Sequence, residues 1–294
     1  MLLVCKEAIG LDKSVNIAFI GGDERALTAA RYLCRLGYEV GCCKVKGEMD
    51  GLAVRIESVD DALGFADAVI LPIPVSRDGK TVLYSDGVLL SQITNGICSD
   101  KKTLVFAGMI PKAFKQELLA AKAAVIDYGA DEKYLQRSAE LTVFAFFDFI
   151  KERAFPVLKN KKIAVCGLGR IGKGLVCSLC GQNTQINVLS SKADECKGKY
   201  PCNVHFYSYG QGAKALMDCD AVINTAPANV IDMKALKSLP EDAIFYELAS
   251  APFGIDEDSA SYLGKRYVKA LGLPGIYYPT ESGELIARTV LSEL

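Results

Sequence analysis

A glycine-rich turn past the midpoint of the chain constrains its fold more than any other feature. The apolar run of residues 163–166 enters Gly167-Leu168-Gly169-Arg170-Ile171-Gly172, and residues 173–180 behind it have helical character. In a strand–turn–helix unit with this G-x-G-x-x-G spacing, the first glycine allows the tight turn, the second lets a pyrophosphate approach the backbone, and the third lets the helix pack on the strand. The helix start also attracts phosphate. The segment therefore predicts a Rossmann-type dinucleotide site formed by Gly167, Gly169, Arg170, Ile171 and Gly172.

The residues after the next predicted strand bear on the choice of dinucleotide. Residues 187–189 run into Ser190, Ser191 and Lys192, where a site for NAD has Asp or Glu to bind the ribose 2′-hydroxyl. Two hydroxyls and a cation instead suit the 2′-phosphate of NADP. We therefore expect NADP as the cofactor. Asp194 and Glu195 would serve NAD if the strand ends further on.

Composition limits the partners of this chain and its compartment. Its 294 residues, 50% of them hydrophobic, suffice for two cores. The 34 basic and 35 acidic residues are balanced and show no basic cluster, so we expect neither nucleic acid nor a membrane as a partner. Eleven cysteines without a secretory signal at residues 1–10 predict reduced thiols and a cytoplasmic protein. No metal is expected. Cys177 and Cys180 fall within the helix after the glycine turn, where both are expected to be small apolar packing residues.

Apolar runs alternate with helical segments and divide the chain into two α/β halves. The predicted strands are residues 16–21, 39–43, 68–72, 103–107 and 124–128 in the first half, and 162–166, 187–189, 204–207, 221–225, 243–247 and 267–270 in the second. We predict two Rossmann-like or flavodoxin-like domains with parallel sheets. The expected divisions are residues 1–137 as the substrate domain, 138–156 as a connecting helix, 157–278 as the NADP-binding domain, and 279–294 as a C-terminal helix that returns to the first domain.

The first half is assigned to the substrate because its glycine turn departs from the nucleotide-binding pattern. Its first predicted strand ends at Gly21-Gly22-Asp23-Glu24-Arg25, which lacks the third glycine. The carboxylates of Asp23 and Glu24 would also repel phosphates.

A series of short motifs resembles the A-subunit family of dipicolinate synthase over nearly the whole chain. The motifs are Gly21–Arg25, Leu71–Pro72, Ala107–Gly108, Gly167–Arg170, Asn224–Pro227, Leu248–Ser250 and Gly272–Gly275, with Pro279 and Ser282–Gly283 beyond them. The resemblance implies an NADP-linked, dehydrogenase-like subunit of spore-forming bacteria that works with a small flavoprotein, the B subunit. The pair converts hydroxy-tetrahydrodipicolinate, from the lysine pathway, into dipicolinate by loss of water and oxidation. The flavoprotein, that small dicarboxylate and a homo- or hetero-oligomer are therefore the expected partners.

The resemblance also implies roles for particular residues. Thr225, Ala226 and Pro227 match the loop that lies against the ribose and nicotinamide of the cofactor. Arg25 is expected to bind a substrate carboxylate through a bidentate pair, and Arg170 is a second candidate for such an anchor.

Loss of water needs a general acid or base, for which Glu140 is the candidate, and Ser250 is expected either to bind substrate or to cap a turn. The single histidine, His205, lies on a predicted strand away from the expected cleft. Its position disfavours a 2-hydroxy-acid dehydrogenase, whose chemistry depends on a histidine–carboxylate pair.

Two departures from the family keep other functions open. Relatives have Asn-Ser/Ala-x-Pro-Thr-x-Glu-Gly at the head of the connecting helix, whereas residues 134–141 here read Tyr-Leu-Gln-Arg-Ser-Ala-Glu-Leu. Phe253 stands where relatives have glycine. One alternative is a related oxidoreductase acting on another small dicarboxylate, and the other is a non-enzymatic NADP(H)-binding scaffold or sensor. The route of the electrons, through NADP or through the partner's flavin, is also open.

Overall fold

The computed structural model describes residues 14–97, 101, 103–153, 155, 157–196 and 198–294. The chain divides into two compact units, residues 1–138 with 278–294 and residues 139–277. The start of the predicted first domain (residues 1–13) and Ala154 and Pro156 near the end of the predicted connecting helix lie outside the described residues.

The strands and helices alternate along both units. The strands are β1 (Ile17–Ile20), β2 (Val40–Cys43), β3 (Val54–Ile56), β4 (Ala68–Ile70), β5 (Leu104–Ala107), β6 (Ala124–Asp127), β7 (Lys162–Cys166), β8 (Gln185–Leu189), β9 (Val204–Tyr207), β10 (Ala221–Asn224), β11 (Ile244–Glu247) and β12 (Tyr267–Lys269). The helices are α1 (Glu24–Arg35), α2 (Val59–Phe65), α3 (Leu90–Gly96), α4 (Lys112–Ala120), α5 (Glu132–Glu152), α6 (Arg170–Cys180), α7 (Ala193–Cys196), α8 (Gly212–Leu216), α9 (Met233–Leu236), α10 (Glu257–Leu263), α11 (Leu273–Tyr277) and α12 (Pro279–Leu291).

The first unit is a parallel sheet in the order β3-β2-β1-β4-β5-β6. Successive residues of a strand point to opposite faces, and both faces of β1 are buried: Ile17 and Phe19 belong to one apolar core, and Ala18 and Ile20 to another. Strand β3 was not predicted because it is three residues long and largely exposed. This strand order is that of the doubly wound dinucleotide-binding fold.

The second unit repeats the topology of the first. Its sheet has the order β12-β11-β10-β7-β8-β9, with β7 in the place that β1 has in the first sheet. On one face Phe146 of α5 is fully buried and meets Tyr246 edge-on, with ring centroids 5.3 Å apart. The apolar side of α5 thus supplies core residues in this unit, although Phe144 is half exposed. The predicted fold class, two parallel α/β domains, is confirmed.

The C-terminal helix α12 returns to the first unit, as predicted, and packs on α1. The approach is close: a Cβ added at Gly283 would lie 2.5 Å from the carbonyl oxygen of Arg25 and 2.6 Å from Cβ of Thr28. A glycine at this position therefore lets α12 lie against the first turns of α1.

Two local predictions differ from the structure. Helix α5 begins at Glu132, earlier than the pattern indicated, because the carboxylate of Asp131 accepts a hydrogen bond from Tyr134 N (2.6 Å) and caps the helix. Cys177 is exposed and Cys180 is half-buried, so the expectation that both pack inside their helix was wrong for Cys177.

Within the described residues no helix combines the length and apolarity needed to cross a membrane. The same residues contain no group of three or more His, Cys, Asp or Glu side chains arranged to hold a metal ion.

Candidate functional site

The turn between β7 and α6 gives each of its three glycines a separate role. Gly167 has a φ of +91°, and a Cβ there would lie 2.8 Å from Thr225 Oγ1 and 3.0 Å from Ala226 N. A Cβ on Gly172 would collide with the carbonyl oxygen of Gly167. A Cβ on Gly169, by contrast, would meet no described atom within 4 Å. Packing therefore requires the first and third glycines, whereas the second borders open space that a ligand can enter.

Helices α1 and α6 both follow the central strand of a sheet, but only the start of α1 is covered. The Asp23 side chain caps α1 by accepting from Arg25 N (3.1 Å), and Gly22 N donates to Leu83 O (3.0 Å). At α6 the N-cap residue is Gly169, which has no side chain with which to cap the helix. An uncapped helix start presents N–H groups and a positive dipole end to an anion. The second unit thus has a turn suited to phosphate. In the first unit, the side chain of Asp23 and the carbonyl of Leu83 occupy the equivalent N–H groups.

The loop after β10 lies beside the glycine turn. Thr225 Oγ1 donates to Cys166 O (3.0 Å). Asn224 brackets Ala226, since its Nδ2 donates to Ala226 O (3.0 Å) and its Oδ1 accepts from Ala226 N (3.2 Å). Pro227 is exposed. These bonds give the loop one conformation next to the open turn, and its contact with a cofactor stays a prediction.

Ser190, Ser191 and Lys192 follow β8 at the same edge of the sheet. Ser190 is buried, its N–H donates to Tyr207 O (3.0 Å), and its Oγ accepts from Lys192 N (3.1 Å). The side chains of Ser191 and Lys192 are exposed. Ser190 therefore shapes the turn, and the other two side chains face solvent where a ribose phosphate could meet them. Their role in cofactor choice stays a prediction.

Glu247, at the end of β11, is a buried carboxylate that the sequence pattern did not reveal. Its Oε1 accepts from Asn224 Nδ2 (2.6 Å) and Ala249 N (3.1 Å), and its Oε2 accepts from Gly254 N (2.9 Å) and the hydroxyl of Tyr267 (3.4 Å). The residue is 0% exposed. Burial raises the pKa of this carboxyl above its ordinary value, although the hydrogen bonds act in the opposite direction.

The loop between Glu247 and Gly254 carries one predicted site residue and one departure from the family. Ser250 is exposed, and its carbonyl accepts from Phe253 N (3.2 Å). Phe253 has a φ of +65°, a left-handed conformation that favours glycine. The ammonium of Lys269 lies 4.7 Å from the centroid of the Phe253 ring, which is cation–π geometry. The backbone at Phe253 thus keeps a conformation typical of glycine, while the side chain adds an aromatic ring next to the ammonium of Lys269 on β12.

In the first unit, Arg25 lines a cleft near the ends of β1 and β4. Its Nε and Nη2 donate to Oδ1 and Oδ2 of Asp23, both at 2.9 Å, and Nη2 also reaches Ile73 O (3.4 Å). Burial alone would lower the pKa of the guanidinium, but the hydrogen bonds and charge of Asp23 more than offset it and raise that pKa. The cleft is lined further by Gly21, Gly22, Pro72, Tyr128 and Ile286. The guanidinium of Arg25 therefore stays cationic and already binds one carboxylate, that of Asp23, through two hydrogen bonds.

The other predicted residues lie on different elements. Glu140 is half-buried on α5, Arg170 is exposed at the first position of α6, and His205 is exposed on β9. Arg25 belongs to the first unit, whereas Glu140 and Ser250 belong to the second. Their assembly into one catalytic site stays a prediction.

Comparison with known proteins finds the same family that the sequence motifs resemble. Residues 16–129 match the family of the N-terminal domain of the dipicolinate synthase A subunit. The A subunit of dipicolinate synthase from Bacillus subtilis (strain 168) is 24% identical over 290 residues, which are 95% of this chain and 95% of the relative. The resemblance to this family is thereby confirmed.

Solved structures share the fold. The crystal structure of the dipicolinate synthase A subunit from Bacillus halodurans has a TM-score of 0.79 at 21% identity, covering 95% of this chain and 97% of that chain. A more distant structure, NAD-dependent formate dehydrogenase from Staphylococcus aureus in complex with NAD, has a TM-score of 0.56 at 14% identity, covering 95% and 93%.

Proposed function

We propose, since residues 16–129 match the family of the dipicolinate synthase A-subunit N-terminal domain, that this chain is an NADP-dependent oxidoreductase of the dipicolinate synthase type. The observation that carries the proposal is the turn at Gly167, Gly169 and Gly172, which opens at Gly169 and precedes a helix without a side-chain cap. The Bacillus subtilis relative aligns with 95% of the chain, so the similarity extends over the unit that contains this turn.

The residues of the second unit fit a dinucleotide. The backbone at Gly169 would approach the pyrophosphate, and the start of α6 would face its charge. Lys192, with Ser191, would bind the 2′-phosphate of NADP. The loop Thr225-Ala226-Pro227 would border the nicotinamide end. Held by these residues, the cofactor would supply a hydride acceptor.

The proposed substrate is hydroxy-tetrahydrodipicolinate, a dicarboxylate. Loss of one water introduces a ring double bond, and removal of a hydride and a proton then gives the aromatic dipicolinate. Arg25 would bind one substrate carboxylate in the geometry that Asp23 now occupies. Glu140 would transfer the proton that accompanies the loss of water, and Ser250 would donate a hydrogen bond to the substrate.

The proposed partner is a flavoprotein, the B subunit, because the relative is named as one lettered component, the A subunit, of dipicolinate synthase. The pair would act in the cytoplasm during sporulation, when dipicolinate is made. The described cysteines are free thiols, which suits a reducing compartment.

A second candidate is an oxidoreductase that acts on another small dicarboxylate. Phe253 favours it, because in the loop after β11 a phenyl ring, with the ammonium of Lys269 near it, stands where relatives have the hydrogen atom of a glycine. This change would alter the space and charge available to a substrate on that side of the site.

Calorimetric titration of the purified chain with NADPH and NADH, each with and without dipicolinate, tests the proposal. Tighter binding of NADPH that dipicolinate strengthens supports one site for cofactor and product. If dipicolinate leaves the affinity for NADPH unchanged but another dicarboxylate strengthens it, the second candidate is supported. NADPH binding, together with no oxidation of any dicarboxylate when NADP⁺ is supplied as the hydride acceptor and a flavoprotein partner is added, supports a scaffold or sensor. The absence of dinucleotide binding contradicts the proposal.

A further inference from the structure

Two loops at the carboxyl edge of the second sheet are joined by one buried carboxylate. Residues 225–227 follow β10 and residues 248–254 follow β11. Glu247, the last residue of β11, accepts hydrogen bonds from Asn224 at the end of β10 and from Ala249 and Gly254 in the second loop. We propose that Glu247 is a positioning residue that fixes both loops in the form that binds the nicotinamide half of the cofactor. The inference rests on the proposed function.

The first loop is fixed through Asn224. The Nδ2 group of Asn224 donates to Glu247 Oε1 (2.6 Å) and to Ala226 O (3.0 Å), while its Oδ1 accepts from Ala226 N (3.2 Å). The bond to Glu247 therefore fixes the orientation of the Asn224 amide, with Nδ2 toward Ala226 O and Oδ1 toward Ala226 N. An acceptor at Glu247 orients Asn224, and Asn224 then orients the peptide groups of Ala226.

The second loop is fixed at both of its ends by the same carboxylate. Ala249 N donates to Oε1 of Glu247 (3.1 Å), and Gly254 N donates to Oε2 (2.9 Å). Gly254 O in turn accepts from Val230 N (3.1 Å) and Ile231 N (3.2 Å), beyond the first loop. Ser250 and Phe253 lie between the two fixed ends.

Gly254 also locks the two loops together by contact. A Cβ at this position would collide with the side-chain amide of Asn224. Asn224, Glu247 and Gly254 therefore form one close-packed group, which we call the buried clasp, and all three residues are buried. A change at any of the three moves the other two.

Topology places the buried clasp in the half of the site opposite the glycine turn. In a sheet of this strand order, each βαβαβ half binds one mononucleotide. The glycine turn and Ser190–Lys192 belong to the half built from β7, β8 and β9. The clasp belongs to β10 and β11, in the other half. Glu247 should therefore influence the nicotinamide nucleotide and leave the adenosine part unaffected.

Glu247→Gln tests this separation, with the exposed Glu241→Gln as the matched control. Glutamine keeps the size of the side chain but replaces one acceptor with a donor, which then faces Asn224 Nδ2, Ala249 N or Gly254 N. The two ligands are NADPH and adenosine 2′,5′-diphosphate, which lacks the nicotinamide nucleotide. If the wild type prefers NADH, the ligands are NADH and ADP.

We expect Glu247→Gln to weaken the full dinucleotide by about tenfold and the adenosine fragment by less than about twofold. A purely structural role would weaken both ligands together through a loss of folded protein. Equal losses for the two ligands, or no loss for either, would overturn the inference.

Gly254→Ala provides a second variant should Glu247→Gln fail to fold, because its methyl group displaces Asn224 while residue 247 remains a glutamate. Gly181→Ala is its control, since a Cβ there meets no described atom within 4 Å. The same selective loss of the full dinucleotide is expected. Failure of both Glu247→Gln and Gly254→Ala to fold would assign the clasp a structural role only. A wild-type chain that binds neither ligand would instead refute the proposed function, and the inference with it.

Discussion

Arg25 and Asp23 form a bidentate ion pair inside the cleft of the first unit, with Nε–Oδ1 and Nη2–Oδ2 distances of 2.9 Å. Asp23 also caps α1 through Arg25 N. The pair has the geometry of an arginine bound to a substrate carboxylate. A dicarboxylate that binds Arg25 in this way must therefore take the place of Asp23, and the strength of the internal pair limits the affinity for the ligand.

Arg25→Ala should weaken dipicolinate binding by about tenfold or more and leave NADPH affinity unchanged, because charged hydrogen bonds are lost only from the carboxylate site. Asp23→Asn should have the opposite effect, since Asn retains an acceptor for Arg25 N but removes the competing charge. Calorimetry with each ligand measures both effects.

Arg35→Ala, an exposed position on the same helix, is the control for the loss of a positive charge. A loss of NADPH affinity in Arg25→Ala would remove Arg25 from the carboxylate role. Weaker dipicolinate binding in Asp23→Asn would show that Asp23 orients Arg25 instead of competing for it.

The fold was predictable because each central strand is a short apolar run buried on both faces. The central strand β7 coincides with the predicted residues 162–166, and the edge strand β9 also coincides with its prediction, residues 204–207. Strand β3 was missed because Val54–Ile56 is a short, exposed edge strand with a charged central residue, which leaves little periodic signal. The start of α5 was misplaced because its cap, Asp131, lies outside the apolar pattern.

The buried clasp could not be predicted, because its members are far apart in sequence. Asn224 and Glu247 become neighbours only through the parallel pairing of β10 with β11, whose register places Asn224 opposite Glu247. A glutamate at the end of an apolar strand is, in sequence, indistinguishable from the first solvated residue of a loop. The glycine turn was predictable because its roles depend on local spacing alone.

Gly169→Val should reduce dinucleotide affinity by at least about tenfold without lowering the melting temperature. A side chain there meets no described atom within 4 Å, and Gly169 has an ordinary φ of −75°, so the folded chain accommodates valine. The isopropyl group would instead occupy the space through which a pyrophosphate approaches. Titration with NADPH, alongside a thermal melt, separates the two effects.

The control for that variant is Gly181→Val, which also faces open space and has a φ of −77°. It lies at the far end of α6, so cofactor affinity should not change. Unchanged affinity in Gly169→Val would refute the assignment of this turn to the pyrophosphate.

Lys192→Glu should weaken NADPH by about tenfold or more and NADH much less, because charge reversal acts on the 2′-phosphate that only NADPH carries. In the wild type, the preference for NADPH over NADH should also decline as ionic strength rises, since Lys192 is exposed. Lys199→Glu makes the same charge change at another exposed position and should leave the preference intact. Equal losses for NADPH and NADH in Lys192→Glu would contradict the 2′-phosphate role.

The buried clasp should also give the stability of the chain a pH dependence of known sign. Burial raises the pKa of Glu247 in the folded chain above the value of about 4.3 expected when unfolded. The folded state therefore binds the proton more tightly, so this contribution to stability is fully present below the unfolded pKa and is lost as pH rises through the folded pKa. The loss has a slope of at most about 1.4 kcal/mol per pH unit.

Urea unfolding of the wild type and of Glu247→Gln, between about pH 4 and pH 7, measures this dependence as a difference. Since glutamine does not titrate, the free energy of unfolding of the wild type minus that of the variant should be largest at the acid end and should shrink toward neutrality. Glu241→Gln makes the same exchange at an exposed position and is measured alongside as the control for the substitution itself. A difference that grows with pH would mean that the four hydrogen bonds to Glu247 outweigh its burial, and that the clasp is held by a carboxylate whose pKa is lowered.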